Sequence, residues 1–280
     1  MANEKFKIAL IQLLTTADKN NNVKSAVEKI GEAVRNGAKL VVLPEVFNAP
    51  YGNQYFEPYS EKIPGPTTEA LQNAAKEHKI YLIGGSIAET DGNKLYNTCT
   101  VYDPSGRLVG IHRKLHMFDI DVPGGIKFTE SDTLSPGNCG TIFQTDLCNI
   151  GLGICYDIRF AELATVYARQ GCQLLVYPGA FNMTTGPAHW ELLARARSVD
   201  NQVYTILCSG ARDTAASYVE WGHSCIVDPW ATVIAKADEH ERIVYADIDL
   251  EKVKNVRNMI PVTTQRKKEI YDTVLKAPIT

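Results

Sequence analysis

KLVVLPE, residues 39–45, is the stretch that decides the fold. Four successive apolar residues, Leu40 to Leu43, leave no polar face, as in a strand covered on both sides of its sheet. An amphipathic segment precedes it. Within residues 16–36, Val23, Ala26, Val27, Ile30, Ala33 and Val34 recur at helical spacing, and Gly37 is placed to end the helix in a left-handed cap. FKIALIQL (residues 6–13) reads as another buried strand, so the chain opens strand, helix, strand.

The alternation continues. Residues 67–79 read as a helix and IYLIGGSIAE (80–89) as a strand. A hairpin follows, KLYNTCTVYD (94–103) and LVGIHRK (108–114), joined by Pro104-Ser105-Gly106-Arg107. Residues 115–138, rich in Gly, Pro and Asp, read as one long loop, a place where function collects. Strands are then expected at 150–155, 172–180, 202–210 and 243–250, helices at 161–170 and 189–201, and a hairpin at 223–237. The end of the chain reads as a charged tail. Strands and helices in alternation, with hairpins inserted, indicate an α/β layered fold with mixed sheets. With no linker in view, residues 1–280 are read as one domain whose core spans about residues 5–249, with 250–280 as the tail.

Composition removes several classes. The net charge is −3, with a pI near 6.1 and no Lys/Arg block, so no nucleic-acid footprint is present. No apolar run approaches the roughly 20 residues of a membrane span, and the start lacks the pattern of a secretory signal. The seven cysteines are odd in number and contain no CxxC pair, which speaks against a disulfide framework or a structural zinc site. The six histidines form no metal-binding spacing, and the glycine pairs form no phosphate loop, so neither metal nor cofactor is expected. The expected compartment is the cytoplasm, with a mitochondrial pool as the alternative.

Sites in α/β sheets form outside the carboxyl ends of strands. Three reactive residues follow buried runs: Glu45 after KLVVLP, Lys114 after LVGIHR, and Cys155 after IGLGI. Taken singly, each has a bland account. Cysteine is most often core filler, Glu45 could pair with a surface lysine, and Lys114 could belong to a solvated basic face. A carboxylate, an ammonium and a thiol at three such ends nevertheless form a coherent set for nucleophilic catalysis. A Cys–His dyad is the competing scheme and has no local support.

The segments VVLPE, HRKLHMFDID and GLGICYDIRF resemble, in order, the Glu, Lys and Cys signatures of the nitrilase superfamily of carbon–nitrogen hydrolases. CYDIRFAELA, VYPGAFNMTTGPAHWELLARARSVDNQVY and GGIKFTESDTLSPG are similar more narrowly to its ω-amidase branch. The resemblance implies an αββα sandwich of two mixed sheets flanked by helices, assembled as a homodimer with the helix 161–170 and the C-terminal tail at the interface. It implies hydrolysis of the terminal amide of short dicarboxylic acid monoamides such as α-ketoglutaramate and α-ketosuccinamate, through a thioester on Cys155. Glu45 would be the general base. Lys114 and the Tyr156 N–H would hold the oxyanion, and Glu130 would hold Lys114 or position the substrate. For the substrate's far carboxylate, Arg159 is the candidate clamp, its alternative being an ion pair with Asp157 or Glu162, and Thr185 matches a family position that helps hold that carboxylate. Tyr51, Phe118 and Phe181 are candidate pocket walls. Other amides remain open, namely deaminated glutathione or an N-carbamoyl compound, as does a non-catalytic scaffold. A nitrilase proper commonly has Trp-Glu after its cysteine, where this chain has Tyr156-Asp157.

Overall fold

A computed structural model describes residues 5–277 and 279. Six strands form most of the first sheet: β1 (Lys5–Gln12), β2 (Leu40–Val42), β3 (Tyr81–Ile83), β4 (Ile87–Asp91), β5 (Lys94–Tyr102) and β6 (Leu108–Arg113). A small hairpin of β7 (Asp119–Asp121) and β8 (Lys127–Thr129) follows. The second sheet contains β9 (Thr141–Gln144), β10 (Asn149–Leu152), β11 (Leu174–Pro178), β12 (Tyr204–Cys208), β13 (Cys225–Val227) and β14 (Val233–Lys236). The last strand, β15 (Arg242–Asp249), returns to the first sheet and pairs antiparallel with β1, giving the order β15-β1-β2-β3-β5-β4 with β6 also on β5. The second sheet runs β14-β13-β12-β11-β10-β9. Both are mixed: β1, β2 and β3 are mutually parallel, as are β10, β11 and β12.

The helices are α1 (Lys19–Arg35), α2 (Asn53–Tyr59), α3 (Pro66–His78), α4 (Ala161–Arg169), α5 (Gly186–Asn201) and α6 (Leu250–Met259). Strand alternation assigns the layers. Ile8, Leu10, Leu40, Val42 and Ile83 point inward and meet Ile150, Leu152, Val176 and Ile206 of the second sheet. Ala9, Ile11, Val41 and Leu82 point outward and pack on Ala26 and Ile30 of α1 and Leu71 and Ala75 of α3. Helices α4 and α5 pack on the second sheet, with Tyr167, Trp190 and Ala194 in its core. The result is the four-layer αββα sandwich, and the run Leu40 to Leu43 is apolar throughout because one face of β2 meets helices and the other meets a sheet.

Three expectations are corrected. The segment 80–89 is two strands, broken at Gly84-Gly85-Ser86. Gly85 has φ +63°, and a Cβ there would lie 2.1 Å from the Pro44 carbonyl, so only glycine fits. The break lets the Ser86 hydroxyl accept the Val46 N–H at 3.0 Å, which ties down the turn carrying Glu45. The segment 115–138 is not one structureless loop; it holds the β7–β8 hairpin and a 3-10 turn, Glu130–Asp132. Residues 250–259 are helical because Asp249 caps α6, its carboxylate accepting from the Glu251 N–H, while Leu250, Val253 and Val256 are buried.

Candidate active site

The three strand ends meet. Glu45 stands three residues past β2, Lys114 directly past β6, and Cys155 three residues past β10. Their side chains are inaccessible or nearly so, with Glu45, Lys114 and Glu130 at 0% side-chain exposure and Cys155 at 4%. The Lys114 ammonium lies 3.0 Å from Glu45 Oε1 and 2.9 Å from Glu130 Oε1. Burial of three charges together is tolerable only because each is paired and hydrogen-bonded.

Every carboxylate oxygen of the pair has a donor. Glu45 Oε1 accepts from Asn97 Nδ2 at 2.7 Å as well as from Lys114, and Oε2 accepts the Ala180 N–H at 2.7 Å. Glu130 Oε1 accepts the Tyr51 hydroxyl at 3.2 Å, and Oε2 the Phe118 N–H at 2.7 Å. Burial pushes the Glu45 carboxyl up, the Lys114 charge pulls it back, and Glu130 adds to the rise. Burial alone would lower Lys114, but the charges of Glu130 and Glu45 hold it well above the usual lysine range, as an ammonium. The Cys155 thiol is driven well up by burial and by Glu45, against the opposing Lys114 charge, so it rests as a thiol with a carboxylate beside it.

Local backbone geometry aims these groups. Cys155 sits at φ +47° and Val46, next to Glu45, at φ +49°. Non-glycine residues rarely hold the left-handed region unless the surroundings impose it, and functional sites are where they collect. Cys155 opens a 3-10 turn, Cys155–Arg159, so the Tyr156 N–H belongs to the first turn, where donors lack an intrahelical acceptor. Gly179 lets the end of β11 approach: a Cβ there would stand 3.3 Å from Cys155 Cα.

The remaining candidates make contacts of their own. Tyr51 packs against Tyr218 with the rings tilted and their centroids 4.5 Å apart. Phe118 meets the edge of Tyr156 at 5.5 Å. Arg159 lies over Phe181 at 4.9 Å and over Tyr156 at 5.5 Å. Thr185 is buried at the start of α5, its N–H donating to Asn182 Oδ1 at 3.0 Å. The ion pair offered as Arg159's alternative is not formed. Both Asp157 oxygens are occupied by other donors, and Arg159 instead has Nη1 3.3 Å from His189 Nδ1 and a buried Nε without a partner among the described residues. A guanidinium on an aromatic ledge with an unused donor is suited to a carboxylate arriving from outside.

Sequence reasoning passed over Asn97, Tyr218 and the Ala180 N–H. Asn97 lies inside a strand and Tyr218 in a loop, and neither has a reactive group to flag it. The Tyr218 hydroxyl donates to the Ala180 carbonyl at 2.6 Å, which steadies the residue whose N–H holds Glu45. Tyr51 and Tyr218 also wall a cavity of about 210 Å³ that reaches Glu220, whose carboxyl is pushed up to about 8 by burial and by Glu45.

Residues 7–258 match the carbon–nitrogen hydrolase family. The chain is 59% identical over 273 residues to the human protein named omega-amidase NIT2, covering 98% of this chain and 99% of that one. The zebrafish protein of that name is also 59% identical, over 95% of this chain and 96% of its own. Among solved structures, yeast Nit3, described as a member of branch 10 of the nitrilase superfamily, superposes with a TM-score of 0.87 at 44% identity, over 94% of this chain and 97% of that one. The Caenorhabditis elegans NitFhit protein gives a TM-score of 0.88 at 31% identity, over 98% of this chain and 68% of that one. The chain belongs to the carbon–nitrogen hydrolases of the nitrilase superfamily.

Proposed function

We propose that this protein is an ω-amidase, hydrolysing the terminal amide of a short dicarboxylic acid monoamide such as α-ketoglutaramate to the dicarboxylate and ammonia. The observation that carries the substrate class is the 59% identity, over nearly the whole of both chains, to proteins named omega-amidase. The Glu45–Lys114–Glu130 cluster beside Cys155 supports the route.

In that route Glu45 takes the Cys155 proton as the sulfur attacks the amide carbonyl carbon. The carbonyl π electrons move to oxygen. An ammonium has three donors, and Glu45 and Glu130 accept two of those on Lys114, so the third is available to the oxyanion beside the Tyr156 N–H. Collapse re-forms the carbonyl and breaks the C–N bond, and the nitrogen leaves as ammonia with the proton that Glu45 returns. The thioester is then attacked by water, which gives a proton to Glu45. The second collapse releases the carboxylic acid and returns that proton to the Cys155 sulfur. Glu45 can serve both halves because burial raises its proton affinity toward what a base working near neutrality needs. In this reading Arg159 and Thr185 hold the far carboxylate, and Tyr51, Phe118 and Phe181 flank the substrate chain.

Ammonia release tests the substrate class. α-Ketoglutaramate is expected to be hydrolysed with much higher kcat/KM than deaminated glutathione or N-carbamoyl-β-alanine. Turnover of deaminated glutathione alone would reject the ω-amidase reading while keeping the thioester route. Assembly as a homodimer fits the exposed apolar side chains Leu192 and Val199 on α5 and Met259 and Ile260 at the end of α6. Light scattering would test it, with a mass near 31 kDa rejecting it.

A further inference from the structure

Asp157 lies two residues past Cys155 and takes no part in the steps above, yet its carboxylate is fully buried. On one side it accepts the Ile154 N–H at 2.9 Å. That bond closes the turn in which Cys155, the next residue, is held at φ +47°. On the other side it accepts from the segment that carries Lys114: His112 Nε2 at 3.0 Å, the His116 N–H at 3.0 Å and His116 Nδ1 at 2.7 Å.

These donors bracket Lys114 by two residues on each side. The histidine rings are themselves braced. His112 Nδ1 meets Thr141 Oγ1 at 3.1 Å, and the His116 ring stacks on Phe160 at 3.5 Å between centroids. Burial would raise the Asp157 carboxyl, but the hydrogen bonds from His112 and His116 hold it well below the usual carboxylate range. The ionised form is acceptor-only, which suits a position ringed by donors.

We infer that Asp157 is a positioning residue whose carboxylate, gripped by His112 and His116 on one side and by the Ile154 N–H on the other, sets the Lys114 ammonium against the Cys155 sulfur. The inference rests on the thioester route above. An asparagine has the same shape but turns an NH₂ group toward a donor, so one side of the clasp must open. Reacting groups displaced by about 1 Å can cost about 100-fold in rate.

The test compares Asp157→Asn and His116→Gln with the wild type in α-ketoglutaramate hydrolysis. Rates are measured on the folded, monodisperse size-exclusion fraction and divided by the fraction of its chains whose Cys155 takes up iodoacetamide at completion, located by peptide mass spectrometry, so unfolded and oxidised protein drop out. Asp157→Asn is expected to lower kcat per reactive thiol by about 30- to 100-fold with KM within about 3-fold. His116→Gln keeps its backbone bond and loses the ring bond and the stack on Phe160, so about 3- to 10-fold is expected. Wild-type kcat per reactive thiol in both variants overturns the inference, even if both melt earlier, because Asp157 would then serve stability alone. If Asp157→Asn does not fold, His116→Gln decides by the same criterion, its ring being part-exposed and replaceable. Turnover surviving in Cys155→Ala would instead bring down the thioester route itself.

Discussion

Cys155 and Cys208 are nearly indistinguishable in the sequence. Both close an apolar run, IGLGIC and VYTILC, and a polar residue follows each within two positions. Both are buried in the fold, at 4% and 0% exposure, and burial drives both thiols up. What separates them is what they face. Cys208 ends β12 between the sheets, its sulfur 3.5 Å from the Ile11 carbonyl and 3.4 Å from that of Val42. Carbonyl oxygens cannot take a proton at ordinary pH, so that thiol stays a thiol and serves as a small apolar filler. Cys155 faces a carboxylate that can take its proton and an ammonium that can steady the charge formed, on a backbone held at positive φ. Neither burial nor a raised thiol pKa marks a nucleophile; a base within reach and a cation behind it do.

The comparison breaks most sharply at Cys155 itself. On the proposed route Cys155→Ala removes the atom that carries the acyl group, and ammonia release from α-ketoglutaramate is expected to fall by at least about 1,000-fold. Retained turnover would make Cys155 and Cys208 equivalent after all. Next comes the cation. Lys114→Met leaves no ammonium for the oxyanion and two carboxylates facing each other, so kcat should fall by about 100- to 1,000-fold. The same variant should raise the Glu45 proton affinity, because the charge that opposed its rise is gone.

Arg159 tests the rim rather than the floor of the site. If Arg159 holds the far carboxylate as proposed, Arg159→Leu removes a charge-assisted contact, and kcat/KM for dicarboxylic acid monoamides should drop by about 10- to 100-fold, mainly through KM. A neutral amide of equal length should change by no more than about 3-fold. Equal losses on both substrates would assign Arg159 to holding the 3-10 turn instead.

Asn97 affects the base by a smaller amount. Its amide donates to Glu45 Oε1, a bond that favours the ionised carboxylate. Glu45 must be ionised to take the thiol proton, so kcat/KM falls as pH drops through its already raised pKa. Asn97→Leu removes the donor, raises that pKa further and should move the acid limb of the pH profile to higher pH, with about 10-fold lower kcat at neutral pH. An unmoved acid limb would exclude Glu45 as the group that sets it.

Much of this was legible in the chain, for reasons that differ by region. The layers could be read because Leu40–Val42, Leu174–Pro178 and Tyr204–Cys208 are almost wholly apolar and buried on both faces, which is what an inner sheet of a sandwich requires. Glu45, Lys114 and Cys155 were visible as polar groups where such runs stop. Glu130 was not visible from residues alone; it lies in a segment that reads as loop, and the β7–β8 hairpin that places it is three residues per strand. Asn97 and Asp157 were hidden for another reason. Their roles are hydrogen bonds across 52 and 45 residues of chain, and local pattern carries no trace of such partners. The paired fate proposed for Arg159 failed on the same ground, since Asp157 two residues away is claimed by histidines far off in sequence.

The smallest effect is expected at the other cysteine. Cys208→Ala deletes one buried sulfur at the seam between β12 and the first sheet, leaving a gap of less than a methylene pair among atoms already in strand geometry. Stability should fall by about 1–2 kcal/mol, which for a chain of this size is a few degrees in Tm. Activity per folded molecule should not change, because the carbonyls that face Cys208 belong to β1 and β2 strand ladders that hold without it. The seam is nonetheless one route by which the site could feel the second sheet, since Val42 is three residues from Glu45. A fall in kcat with Tm retained would show that packing at the seam sets the Glu45 turn, and the two cysteines would then differ in degree rather than in kind.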